Sequence, residues 1–352
     1  MPTVLEALNT ALQNALASDE RVVIMGEDIL DPYGGAFKVT RGLSDSFPDR
    51  VITTPISEAG IVGVAAGMAL RGLLPVVEIM FGDFITLIAD QVINHAAKFH
   101  WMYNDQVRVP IVIRTPMGGR RGYGPTHSQT MEKIFLGVPG LRVLAPNAFS
   151  DPGVLLSKAI FEDNDPVLFI ENKLLYLNTI HDSNHISEFE YFEQIPKPNF
   201  YHHSKHKGTI AGLTNYYAPT CMLSLRDAPP PVLTIAAYGY MTEFVYQAAL
   251  NLAYEYEVFI ELVYPTQLSP CDIGAILSSV SRTGRLLVVE EGTLNLGWGA
   301  EVIALIAENL GSRLQGARRV AALNLPIPAS GPLEDAVLPG IEHIIHAAQK
   351  MV

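Results

Sequence analysis

A chain of 352 residues in which 49% are hydrophobic and 17% charged has the material for two well-buried cores, which excludes a disordered polymer. Its formal charge of −12 argues against nucleic acid or an anionic membrane surface as a partner, since both select basic surfaces. Its two cysteines, Cys221 and Cys271, form no C-x-x-C motif and fit a reducing compartment, with burial as their default role.

Val4, Leu5, Leu8, Leu12 and Leu16 share one helical face, so the chain opens on an amphipathic helix. The opening MPTVLEALNTALQNALASDE has no basic residue ahead of its apolar positions and contains acids, the pattern of neither a signal nor a transit peptide. With no apolar run of membrane-spanning length, a cytoplasmic protein is expected. Apolar runs at 21–28, 73–81, 109–116, 141–146 and 166–171 are predicted strands, separated by helices at 58–70, 84–101, 128–136 and 150–161. That alternation predicts an α/β fold with a mainly parallel sheet. The strand ends deliver Glu27, Asp28, Asp83 and the loop GGRRGYGPTHSQ, and carboxyl ends of strands are where such sheets bind ligands. Residues 178–230, rich in His, Tyr, Asn, Ser and Pro, run into APPP at 228–231 and are expected as a linker or insertion. A second alternation follows, with strands at 231–239, 258–265, 285–292 and 319–326 and helices at 242–255, 271–281 and 298–310. The expected division is therefore 1–177, 178–230 and 231–352.

In TTPISEAGIVGVAAGMAL, residues 53–70, Ser57 is a good N-cap, and Glu58 falls in the first turn, where the helix macrodipole favours a carboxylate. Gly60, Gly63 and Gly67 recur at helical spacing. Each costs about 1 kcal/mol against alanine inside a helix, so this helix is expected to meet another backbone or a ligand closely. A capped, tightly packed helix accounts for the same residues. His127, between Thr126 and Ser128 in a glycine-rich loop, suits either proton transfer or plain capping. Arg120 and Arg121 suit a carboxylate or phosphate clamp, or a solvated turn. Glu290 and Glu291 read as exposed strand-end acids or as a structural or interface pair. His95, Lys98, Phe99 and Trp101 read as packing and interface residues of a long helix. G-x-G-x-x-G after a strand, the Walker loop and the G-x-S-x-G elbow are all absent.

Several ordered stretches together carry a family likeness. GEDILDPYGGAFKVTRGL (26–43), TPISEAGIVGVAAGMAL (54–70), IADQVINHAAK (88–98), PTHSQTMEKIF (125–135), VPGLRVLAP (138–146) and, more loosely, EEGTLNLGWGAEV (290–302) resemble the β subunit of thiamine-diphosphate-dependent 2-oxoacid dehydrogenases. This is the decarboxylating first component of the pyruvate and branched-chain complexes and of acetoin-cleaving enzymes. The resemblance implies a pyrimidine-binding α/β domain followed by a transketolase C-terminal-type α/β domain. It implies that Glu58 hydrogen-bonds the aminopyrimidine ring of thiamine diphosphate and favours the ring form whose exocyclic nitrogen takes the thiazolium C2 proton. Phe84 falls where the family stacks an aromatic ring on the pyrimidine. His127 matches an active-site histidine facing the substrate, and Glu27 an acid deep at the subunit interface. Ile111, Ala159, Ile160, Asp163 and Asp165 match positions that hold a structural potassium ion, although the FEDNDP turn is one residue longer than the family's pattern.

The family's G-D-G motif for diphosphate and Mg2+ is absent, and Gly82-Asp83-Phe84 does not replace it. In the family that motif belongs to an α subunit, so the resemblance implies an α2β2 heterotetramer active only with its α subunit. It further implies acyl transfer to lipoamide, with a lipoyl acyltransferase as a further partner. The tail after 326 and the stretch 178–230 depart from the family. The alternatives are an acetoin-type or carboligating thiamine enzyme subunit and a non-catalytic transketolase-like scaffold or binding subunit.

Overall fold

The computed structural model describes residues 1–182, 186–196 and 216–352. Six strands appear before residue 173: β1 (Val22–Gly26), β2 (Val51–Thr53), β3 (Leu74–Glu78), β4 (Val112–Met117), β5 (Arg142–Leu144) and β6 (Val167–Asn172). Seven follow among the described residues: β7 (Phe189–Gln194), β8 (Thr220–Leu225), β9 (Leu233–Ala237), β10 (Ile260–Pro265), β11 (Gln267–Ser269), β12 (Arg285–Thr293) and β13 (Gly316–Ala322). Two sheets result, in the orders β11-β5-β6-β4-β3-β1-β2 and β13-β12-β9-β10-β8-β7. The first is parallel except for β11, which crosses from the second half of the chain and pairs antiparallel with β5. The second is parallel through β13, β12, β9 and β10 and antiparallel at β8 and β7.

Strands β1, β3, β4 and β6 are buried along their whole length, because helices cover both faces of the parallel sheet. One face is closed by the opening helix Val4–Ser18 and the helix Pro152–Phe161. The opening helix is capped by a reciprocal Thr3–Glu6 box, which satisfies its first N–H groups. The other face packs on the helix Glu58–Leu70 and continues without a break into the second half, where Ala236, Val263, Val288 and Trp298 join the same apolar cluster. A separate core lies between the far face of the second sheet and the helices Met241–Tyr256 and Ile341–Gln349. Among the described residues, no helix is long and apolar enough to cross a membrane.

Three expectations change. The helix expected at 84–101 is a 3-10 segment (Gly82–Ile88), a π segment (Gln91–Ala96) and a short α-helix (Ala97–Met102). The irregular turns follow the neighbouring helix, against which Gln91 packs so closely that a Cβ on Gly63 would lie 3.1 Å from its Oε1. The helix expected at 128–136 is a single 3-10 turn, Glu132–Ile134. Its polar residues are drawn inward into tertiary bonds, Gln129 to Asp83 and Glu132 to Tyr238. The stretch 178–230, expected as a linker, supplies β7 and β8 to the second sheet. Parts of it, residues 183–185 and 197–215, lie outside the described residues.

Candidate active site

β1 hands the chain to Glu27, whose buried carboxyl faces the start of the helix Glu58–Leu70. Burial first, and the Glu58 charge second, push Glu27 above its ordinary carboxylate range, while a hydrogen bond from the Ser57 main chain pulls the other way. Glu27 Oε1 has no hydrogen-bond partner among the described residues. Ser57 makes no side-chain cap bond, contrary to expectation. The helix start is marked instead by Glu58, buried at the first helical position, where the macrodipole favours its charge. Along the glycine stripe of this helix, Gly63 is covered by Gln91, while Gly60 and Gly67 are exposed and Val64 between them is 56% exposed.

β3 leads through Phe81 to Gly82, where a Cβ would overlap the Met117 side chain at the end of β4. Glycine therefore permits the tight turn that presents Asp83 and Phe84. Phe84 packs on the cluster containing Ile61 and Val62. Its ring meets the His127 ring edge-on at 5.4 Å, and Phe81 meets the same imidazole at 4.8 Å. His127 is half-buried, with Nδ1 3.0 Å from Thr126 Oγ1. Asp83 turns inward and accepts from the Gln129 main chain at 3.2 Å and from its Nε2 at 2.8 Å, tying the Phe84 turn to the His127 loop.

The glycine-rich loop is held from the second half of the chain. Glu291 accepts the Gly119 N–H at 2.6 Å and the Asn172 amide at 2.9 Å, and Glu334 accepts the Arg120 N–H at 2.6 Å. Glu290 and Glu291 are thus buried, not exposed strand-end acids. Burial and the Glu132 charge lift Glu290 to about 7. Arg120 gives its guanidinium to the Pro339 carbonyl at 2.6 Å and lies over the Phe244 ring, and Arg121 donates to the Lys173 carbonyl at 3.1 Å. Each side chain donates to a protein carbonyl.

Ile111 and the turn at 159–165 come together across β4 and β6: Val109 donates to the Asn164 carbonyl at 3.2 Å, and the Ile111 carbonyl accepts from Val167 at 2.8 Å. Asp163 is engaged by Arg142 at 2.7 Å and by the Tyr217 hydroxyl at 2.5 Å. Asp165 Oδ2 has no partner among the described residues, and burial followed by the Asp163 charge lifts this carboxyl to about 7. Ala159 and Ile160 close the helix Pro152–Phe161, where carbonyls have no intrahelical partner.

Residues 1–178 match the family model described as transketolase, pyrimidine binding domain, and residues 225–344 match transketolase, C-terminal domain. The pyruvate dehydrogenase E1 component subunit beta-1, mitochondrial, of Oryza sativa is 36% identical over 99% of this chain and 86% of its own length. The corresponding subunit beta of Rickettsia bellii is 34% identical over 99% and 98%. The chain belongs to this transketolase-like family, with the β subunits of thiamine-diphosphate-dependent 2-oxoacid dehydrogenases. Another relative, the acetoin:2,6-dichlorophenolindophenol oxidoreductase subunit beta of Cupriavidus necator, is 33% identical over 98% of this chain and 95% of its own length. A solved split gene transketolase, described as an inactive beta4 tetramer, superposes with a TM-score of 0.71 over 100% of this chain and 98% of its own, at 19% identity, and shows the fold alone.

The residues present fit the cofactor of this family. A buried carboxylate at a helix start, beside a carboxyl with an unpartnered oxygen, suits a ring bearing N–H donors, and Phe84 is a half-buried aromatic surface nearby. Phe81, Tyr123, Lys173 and Glu334 were not singled out from the sequence. Phe81 and Lys173 directly follow or closely trail β3 and β6, so their place at strand ends was the available signal.

Proposed function

We propose that this chain supplies the pyrimidine half of a thiamine diphosphate site and works with an α subunit that holds the diphosphate and Mg2+, most simply as α2β2. The observation that carries this is the meeting of buried Glu58 and Glu27 at the start of the helix Glu58–Leu70, on whose Ile61 and Val62 cluster Phe84 packs while its ring meets His127. When bound, thiamine diphosphate supplies a nucleophilic thiazolium carbon and an electron sink for decarboxylating a 2-oxoacid. Glu58 would accept a hydrogen bond from the pyrimidine ring, and Phe84 would offer that ring an aromatic face. His127, held at the edge of the aromatic cluster, moves a proton on the substrate side. The reaction is oxidative decarboxylation of pyruvate or a branched-chain 2-oxoacid with acyl transfer to lipoamide, with a lipoyl acyltransferase as the further partner. Support comes from relatives named as pyruvate dehydrogenase E1 subunits.

The backbone carbonyls of Ile111, Ala159, Ile160, Asp163 and Asp165 are proposed to hold a potassium ion, a reading supported by the approach of the 159–165 turn to β4 through the Val109–Asn164 bond. A cytoplasmic location stays part of this reading. An acetoin-type reaction is the second reading, because the Cupriavidus necator relative carries that name. The test is co-expression with an α subunit bearing the G-D-G motif, followed by dye-coupled oxidation of a panel of 2-oxoacids and acetoin. Turnover of a 2-oxoacid is expected. A stable complex without turnover on any of them points to a scaffold instead.

A further inference from the structure

Lys173 is fully buried at the turn after β6, and among the described residues it forms no ion pair. A buried ammonium without a carboxylate contact is costly, and here burial, the largest cause, lowers Lys173 to about 8 against the partly compensating charges of Asp83 and Glu291. Its placement shows where the charge is used. Nζ donates to the main-chain carbonyl of His127 at 2.5 Å and stands 5.4 Å from the centre of the Phe81 ring and 5.5 Å from that of Tyr123. Phe81 is also the ring that meets the His127 imidazole at 4.8 Å.

The base of the lysine is itself held on two sides. Its N–H donates to the Met117 carbonyl at 3.0 Å, and its carbonyl receives Arg121 at 3.1 Å. Its neighbour Asn172 is bonded to Glu291 at 2.9 Å. The ammonium therefore projects from a fixed point, and its strongest bond goes to the backbone of the histidine. A lysine serving only the core would be better replaced by an apolar side chain of the same length.

We propose that Lys173 is a positioning residue for His127: its ammonium pins the His127 carbonyl and packs on the Phe81 ring, so that backbone and imidazole are fixed together. This rests on the active-site role proposed for His127, but the placement itself is measurable without turnover.

The test uses Lys173→Met in the complex with the α subunit, following carbethoxylation of His127 by diethyl pyrocarbonate through peptide mass mapping. A several-fold faster modification of His127 is expected. The kcat should fall about ten-fold or more, as small misplacements of reacting groups do, with KM for the 2-oxoacid less affected. Adding Lys173→Met to His127→Ala should cause no further loss. An unchanged modification rate in the folded variant, or losses that multiply in the double variant, overturns the proposal. Lys173→Gln, one atom shorter and unable to reach the carbonyl, is judged by the same criteria if Lys173→Met does not assemble. Full activity in His127→Ala would instead sink the role of His127 while the modification rate still reports on its placement.

Discussion

Glu334, on the short helix Gly331–Val337, accepts the main-chain N–H of Arg120 at 2.6 Å and that of Gly122 at 3.2 Å, although the two segments are more than two hundred residues apart. The carboxylate is itself buried and serves the loop as anions serve a backbone nest. Removing it leaves donors without a partner, at about 1–3 kcal/mol for each one that water does not reach. Glu334→Ala should lower the unfolding temperature by several degrees and raise hydrogen exchange at residues 118–124. An unaltered exchange pattern there would show that the loop stands without this bond.

Glu58→Gln should separate folding from cofactor use. The neutral side chain no longer raises Glu27 but also loses its interaction with the helix macrodipole, and these opposing effects should leave the isolated chain within about 1 kcal/mol of the parent in thermal unfolding. Proton exchange at C2 of thiamine diphosphate, followed by NMR in the complex with the α subunit, should fall by several orders of magnitude, as for loss of a key acid–base group. Exchange at the parental rate would remove Glu58 from that step.

Gly67 offers a test of the partner face. A Cβ there would meet nothing within 4 Å in this chain. Gly67→Ala should therefore stabilise the isolated chain by up to about 1 kcal/mol through helix propensity. Gly67→Leu should fold equally well but weaken association with the α subunit, measured by size-exclusion chromatography of the mixed chains. Undiminished association of the leucine variant would place the interface elsewhere.

The pH dependence of stability has a defined sign at Glu290. Its carboxyl is raised from 4.5 to about 7, with burial the first cause and Glu132 the second. Between those values the folded chain keeps a proton that the unfolded chain has released, so this group's contribution to stability falls as pH rises from about 4.5 to about 7 and is level above. Glu290→Gln should abolish that component. Denaturant titrations of parent and variant across the window should show the difference between them shrinking or reversing as pH falls; parallel curves would contradict it.

The core was more legible in the sequence than the site. β1, β3, β4 and β6 announced themselves as continuous apolar runs because both faces are covered, and the helices Glu58–Leu70 and Trp298–Leu310 have the bounds that periodicity and glycine placement suggested. β7 escaped notice because it is an outer strand: Glu190, Tyr191, Phe192 and Glu193 are all exposed, and no alternation of burial marks them. At the site, Glu58 and His127 lie in stretches with a family pattern, and Phe84 falls between two of them. Lys173 lies at a strand end between Asn172 and Leu174, and the bond that gives it meaning joins two loops 46 residues apart. Local pattern carries no trace of such a pairing.

The antiparallel seat of β11 on β5 also decides how the polypeptide can be divided. Cut near residue 230, the amino-terminal piece would carry β5 as a bare edge, with unpaired main-chain groups along it and with one face of its sheet stripped of Val263, Val288 and Trp298. Such an edge is a template for pairing with other copies. The two parts are thus not interchangeable modules joined by a tether but a single object that closes only when its last third has been made.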